Sequence, residues 1–288
     1  MTALQWETQP KLNQPVIVAA FQGWTDAGGA ASSAATFLAE QWGAREFATV
    51  DPEDFFDFTA LRPQVRLRDD QSREIVWPEN KFLAATIPGS HDVIFLIGVE
   101  PHTRWRAFCE AVTTVATTLE ARSFITLGAM LTDVTHTRSS PVRGSSVDGK
   151  LADRYGLARP RYEGPTGIVG VLQDAFARVD IPAASLMAQV PHYVPRIPSP
   201  KATLALVERV CDLLETSVGT GSLEQASDAY EREVSEFVAS DEDIAGYVYQ
   251  LERRAQEVEP EVELSDLPSG DTIAAELEQF LREQGGAN

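Results

Sequence analysis

Asp133, His136 and Arg138 combine a carboxylate, an imidazole and a guanidinium in one short segment. Such a set can orient a proton-transferring base beside a clamp for an anion. His136 and Asp133 are therefore candidate catalytic residues, with His102 as a further candidate base. The same residue types also build ordinary loop hydrogen-bond networks, and both readings stay open on sequence alone. Candidate ligand-binding residues surround them: Gly23, Trp24, Asp26 and Gly28 after one apolar run, Glu100 and Arg104 after another, Arg138 itself, Thr166 ahead of a helix, and His192 beside Tyr193. Each has a structural reading as well. Asp26 has the type and place of a helix N-cap, and Glu100 and Arg104 have the i to i+4 spacing of a simple ion pair. Trp24 could stack on a ligand or fill a groove, and His192 suits a packed imidazole.

These residues share a feature of placement. Trp24, Glu100, Asp133 and His192 each follow a predicted strand, and in an open α/β sheet ligands bind beyond the carboxyl ends of the strands. Val16 to Phe21 is an apolar, β-branched run suited to a buried parallel strand, and Asp26 followed by small residues opens a helix. The backbone N–H groups of that turn, Gly23 to Gly28, would offer a place for a small anion. Val93 to Val99, Phe124 to Leu131 and Ala184 to Val190 read as further strands. Helical stripes lie over Trp105 to Leu119, Ile168 to Val179 and Leu204 to Leu214, the last opened by Pro200. Phe47 to Val50 should complete a first crossover. Gln64 to Arg68 and Glu74 to Trp77 alternate like a β-hairpin inserted at one edge, and Thr132 to Glu163 reads as a long arginine-rich loop.

Composition narrows the function classes. The net charge is −19, and from Thr220 onward 18 acidic residues face 4 arginines. A nearly neutral body with an acidic tail argues against nucleic acid as a partner. No apolar run has the length of a membrane span, so no membrane insertion is expected. Two cysteines, Cys109 and Cys211, fall in helical apolar patterns and suggest buried thiols in a cytoplasmic protein. Metal-ligand spacings, a nucleophile elbow and a phosphate-binding loop are missing, so neither a metal nor a cofactor is expected. Residues 1–219 read as an α/β core domain and residues 220–288 as an acidic helical C-terminal extension. The extension carries apolar stripes at Tyr230, Val234, Phe237 and Val238, at Ile244, Tyr247, Val248 and Leu251, and at Ile273, Leu277, Phe280 and Leu281, with Ser222 and Ser240 as caps. Narrow stripes of this kind need a surface to dock on.

Five blocks carry a family resemblance: Phe21-Gln22-Gly23-Trp24-Thr25-Asp26-Ala27-Gly28, Gly98-Val99-Glu100-Pro101, Asp133-Val134-Thr135-His136-Thr137-Arg138, Tyr162-Glu163-Gly164-Pro165-Thr166-Gly167-Ile168, and Pro191-His192-Tyr193 with Pro200-Lys201-Ala202-Thr203. Together they resemble the bacterial, actinobacterial-type branch of the proteasome assembly chaperone family over about Pro15 to Leu214. Val134 stands where the pattern would have proline. The resemblance implies a three-layer αβα sandwich with a mostly parallel sheet, like phosphorylases and peptidyl-tRNA hydrolases, and self-association as a trimer or dimer. It brings no established reaction. The leading expectation is a non-catalytic, chaperone-like or scaffold protein that binds other proteins. The alternative is an enzyme or sensor for a phosphate- or nucleoside-containing small molecule. A link between them is also open: the acidic tail could cover the arginine-rich loop and gate the cleft.

Overall fold

Val16–Gln22 forms strand β2 at the centre of an eight-stranded sheet, in a computed structural model that describes residues 3–257 except 70 and 88. Strands β7 (Val93–Val99) and β8 (Ser123–Thr132) flank it in parallel, and β10 (Ala183–Pro191) runs parallel beyond β8. Strands covered on both faces have no polar side to show, which is why these four read as near-continuous apolar runs. Antiparallel strands complete both edges. Beyond β7 lie β6 (Asn80–Ala85), β3 (Arg45–Val50) and β1 (Leu4–Trp6); beyond β10 lies β9 (Val142–Ser146).

Alternation along β2 divides the core in two. Val16, Val18 and Ala20 meet α1 (Ala30–Gln41), α3 (Gly149–Tyr155) and α5 (Pro200–Leu213) on one face. Ile17, Ala19 and Phe21 meet α2 (Trp105–Thr118) and α4 (Ile168–Arg178) on the other. This is the three-layer α/β sandwich, and Phe124 stacked on Phe176 at 3.8 Å between centroids shows how closely α4 lies on the sheet. Burying one such side chain contributes about 1.5–3 kcal/mol. On the opposite face α1 begins with Ala30, Ala31, Ala34 and Ala35, all buried, so its backbone lies close to the strands.

Helix α6 (Gly221–Ala239) packs on α5, burying Tyr230, Val234 and Val238, while Phe237 of the same stripe is half exposed. The chain divides into one unit up to Ser240 and a second that begins at Asp241 and contains α7 (Glu242–Glu257), the helix of the second stripe. The third stripe lies outside the described residues, as do residues 258–288 of the acidic tail invoked as a gate.

Several expectations are corrected. After α1 the chain does cross to β3, but β7 and β6 lie between β3 and β2. Strand β6 was not foreseen, because Asn80-Lys81 at its start masks its pattern. The hairpin exists as β4 (Gln64–Leu67) and β5 (Arg73–Val76), yet it forms a two-stranded sheet of its own instead of an edge of the main one. The long loop holds β9 and α3: Val142 to Ser146 pairs with β10 and is hidden by polar composition. Ser222 lies inside α6, which Thr220 precedes. Asp241, not Ser240, caps α7 by accepting from the N–H groups of Asp243 and Ile244.

Candidate functional site

Because β7, β2, β8 and β10 are parallel, Glu100, Trp24, Asp133 and His192 do follow strand ends on one edge of the sheet. They gather in two groups, one on each side of the sheet's plane.

The first group surrounds Glu100. Its backbone N–H donates to the carbonyl of Gln22, its Oε2 accepts from the Trp24 N–H at 3.2 Å, and its Oε1 accepts from the Ile168 N–H at 2.8 Å. One carboxylate thus ties the turn after β2 to the start of α4. Gly23 is required there: its φ is +147°, and a Cβ would stand 2.9 Å from Glu100. At Gly167 space alone is limiting, with a Cβ only 2.7 Å from Glu100 Oε1. A cleft of about 410 Å³ opens in front, lined by Trp24, Glu100, His102, Trp105, Thr166 and Gly167 among others. Trp24 is 65% exposed, so it neither fills a groove nor packs away. His102 Nδ1 accepts from the Asp57 N–H at 3.1 Å, and its ring meets Phe56 edge-on. Arg104 pairs with Asp54, so the expected pairing with Glu100 gives way to one across the loop that holds Phe55.

Asp26 binds the turn after β2 to the start of α1. Its Oδ1 accepts from the N–H groups of Ala31 at 2.8 Å and Ser32 at 3.2 Å, and its Oδ2 from the Ser32 hydroxyl at 2.6 Å. Donors at the start of α1 are thus met by the protein's own carboxylate, the capping role that the type and place of Asp26 suggest. Burial pushes the Asp26 carboxyl above its ordinary range, with the bonds from Ser32 and Ala31 acting in the opposite sense. Gly28, at φ +60°, faces α5: its carbonyl accepts from the Ser199 N–H, and a Cβ would press on Ser199.

The second group surrounds His136, which is buried beneath α6. Its N–H donates to the Tyr193 hydroxyl at 2.9 Å, its Nδ1 meets the same hydroxyl at 2.8 Å, and its Nε2 meets the Ser235 hydroxyl of α6 at 3.0 Å. Lys201 donates to the His136 carbonyl at 2.5 Å and to Glu231 of α6. Asp133 pairs with His192 Nδ1 at 3.3 Å near the surface. Arg138 lies with His136 and Lys201 around a space of about 10 Å³, too small for a substrate. This pocket shares no lining residue with the cleft at Trp24.

Ser235, Glu231 and Asp54 were not singled out in the sequence, because their partners lie far along the chain. Cys109 and Cys211 are free and buried, each thiol pushed up to about 11 by burial first and nearby carboxylates second. Among the described residues no group of His, Cys, Asp and Glu side chains could hold a metal ion, and no helix is long and apolar enough to cross a membrane.

A three-layer α/β body whose strand-end polar groups mostly fasten its own loops defines the class. The chain belongs to the PAC2 family, whose model matches residues 20–238. A PAC2 family protein from Streptomyces avermitilis is 42% identical, with a TM-score of 0.76 over 81% of this chain and 99% of that one. A Mycobacterium tuberculosis protein described as a proteasome-assembly chaperone homologue is 44% identical, with a TM-score of 0.73 over the same shares. The archaeal proteasome activator PbaB of Pyrococcus furiosus shares the fold at 18% identity, with a TM-score of 0.65 over 82% of this chain and 99% of that one. No curated protein matches the chain.

Proposed function

We propose that the chain is a non-catalytic, assembly-chaperone-like protein that binds other proteins and self-associates as a dimer or trimer in the cytoplasm. The observation that carries this reading is how the rim's ionisable groups are used. Glu100, Asp26, His102 and His136 all hold backbone or a neighbouring element, while the side chain turned outward beside the open cleft is the exposed indole of Trp24. Exposed aromatic residues beside a concave surface suit protein recognition, where they act as anchors. The Mycobacterium tuberculosis relative makes proteasome subunits the first partners to test.

The rival, a phosphate- or nucleoside-directed enzyme at this rim, lacks a comparable observation. The starts of α1 and α4 already carry the carboxylates of Asp26 and Glu100, which would repel an anion. Purified full-length chain mixed with proteasome α- and β-subunits tests the reading by size-exclusion chromatography with light scattering. Co-elution that Trp24→Ala weakens by about tenfold or more is expected for a central aromatic anchor. Absence of any complex with these subunits overturns the proteasome partner, and one indifferent to Trp24→Ala overturns the cleft as its site.

A further inference from the structure

The opposite edge of the sheet, where β2, β8 and β10 begin, holds a second cavity of about 290 Å³. Its lining includes four side chains that are or can become cationic, namely His91, Arg122, Lys150 and Arg154, against a single carboxylate, Asp148. Several cations outside the cavity meet carboxylates: Arg68 with Glu74, Arg104 with Asp54, Arg178 with Asp174, Lys201 with Glu231.

Here the balance differs. Asp148 is taken up by the Leu151 N–H at 2.7 Å, and Arg154 reaches out to Glu215. The guanidinium of Arg122, half-buried, meets the imidazole of His91, which must be neutral to accept from it, and makes no ion pair among the described residues. Lys150 makes no ion pair among the described residues. Burial first, then Arg122 and Arg154, hold the His91 pKa below the ordinary histidine range, although Glu215 and Asp92 pull the other way. Apolar residues, among them Ile125 and Leu213, complete the wall.

We propose that this cavity binds a small molecule carrying an oxyanion, phosphate or carboxylate, on an apolar body, with Arg122 and Lys150 holding the anion. The site is independent of the protein-binding reading and lies at the other end of the sheet from Trp24.

Calorimetric titration of the full-length chain with phenyl phosphate, benzoate, inorganic phosphate and benzyl alcohol tests it. Phenyl phosphate or benzoate should bind, whichever binds more tightly naming the head group. Inorganic phosphate and benzyl alcohol should each bind more weakly than that probe. Arg122→Gln should weaken binding about tenfold, as loss of a charge-assisted contact does. Lys150→Gln, at an exposed position that should leave folding intact, should weaken it about threefold. Failure of both aromatic anions to bind overturns the proposal. So does binding unchanged in Lys150→Gln, or benzyl alcohol or inorganic phosphate binding as tightly as the better aromatic anion.

Discussion

The two halves of the rim begin from the same material and end differently. At β2 and β7 the loops are stitched by Glu100 and left open, so an aromatic side chain and a cleft of about 410 Å³ face outward. At β8 and β10 the loops are stitched by His136 and Tyr193 and then roofed by α6, which leaves about 10 Å³. A carboxylate reaching backbone N–H groups needs no further element, whereas the His136 imidazole also reaches Ser235 of the added helix. The difference teaches that histidine and lysine at a strand end can be fasteners for a later segment as readily as parts of an active site.

The comparison is broken most directly at Glu100. Glu100→Ala leaves the N–H groups of Trp24 and Ile168 without their acceptor. Hydrogen bonds to a charged group contribute about 1.5–3 kcal/mol, so a loss of about 3 kcal/mol in urea unfolding is expected, with a change in Trp24 fluorescence. A loss under about 1 kcal/mol would mean that solvent replaces both contacts.

His136→Ala should cost less, about 2 kcal/mol, since neutral hydrogen bonds contribute about 1 kcal/mol each. Its signature is location. Amide exchange should quicken in α6 and leave Gly23 to Glu100 unchanged. Equal quickening in both halves would dissolve the distinction drawn here. Smaller again is Arg104→Ala. Its pair with Asp54 is exposed on both sides, and exposed pairs contribute about 0–1 kcal/mol, so the urea midpoint should barely move.

Much of this architecture was legible beforehand. The four parallel strands announce themselves as apolar runs, and the helices facing them as stripes at three- and four-residue steps. What escaped has physical causes. Strand β9 closes one edge of the sheet and is rich in polar residues, so no apolar run marks it, and β6 opens on Asn80-Lys81, which shortens its apolar run to Phe82-Leu83-Ala84-Ala85. Arg104 choosing Asp54 over Glu100 could not be read from spacing, because the alternative partner is fifty positions away and brought near only by the loop that packs Phe55. That Trp24, Glu100, Asp133 and His192 follow strand ends on one edge was legible, since topology alone sends them there. Their division into two groups depends on which face each loop turns to after its strand, and no local pattern records that. The basic cavity at the other edge went unnoticed because Arg122, Lys150 and His91 come from separate connections with no shared motif.

Asp26 stands on the rim's edge as a carboxylate whose cost depends on pH. Its folded-state pKa is raised above the ordinary 3.8, chiefly by burial. A raised acid favours the folded state when protonated, so its contribution is fully present below 3.8 and declines as pH climbs through the raised value. Asp26→Asn keeps an acceptor for Ala31 and Ser32 but cannot ionise. The stability difference between wild type and this variant should therefore shift in the variant's favour between about pH 4 and about pH 7, measured by urea unfolding at each pH. A difference moving the other way would show that the bonds from Ser32 and Ala31 outweigh burial, and the start of α1 would then resemble Glu100's half of the rim in gaining from a charged cap.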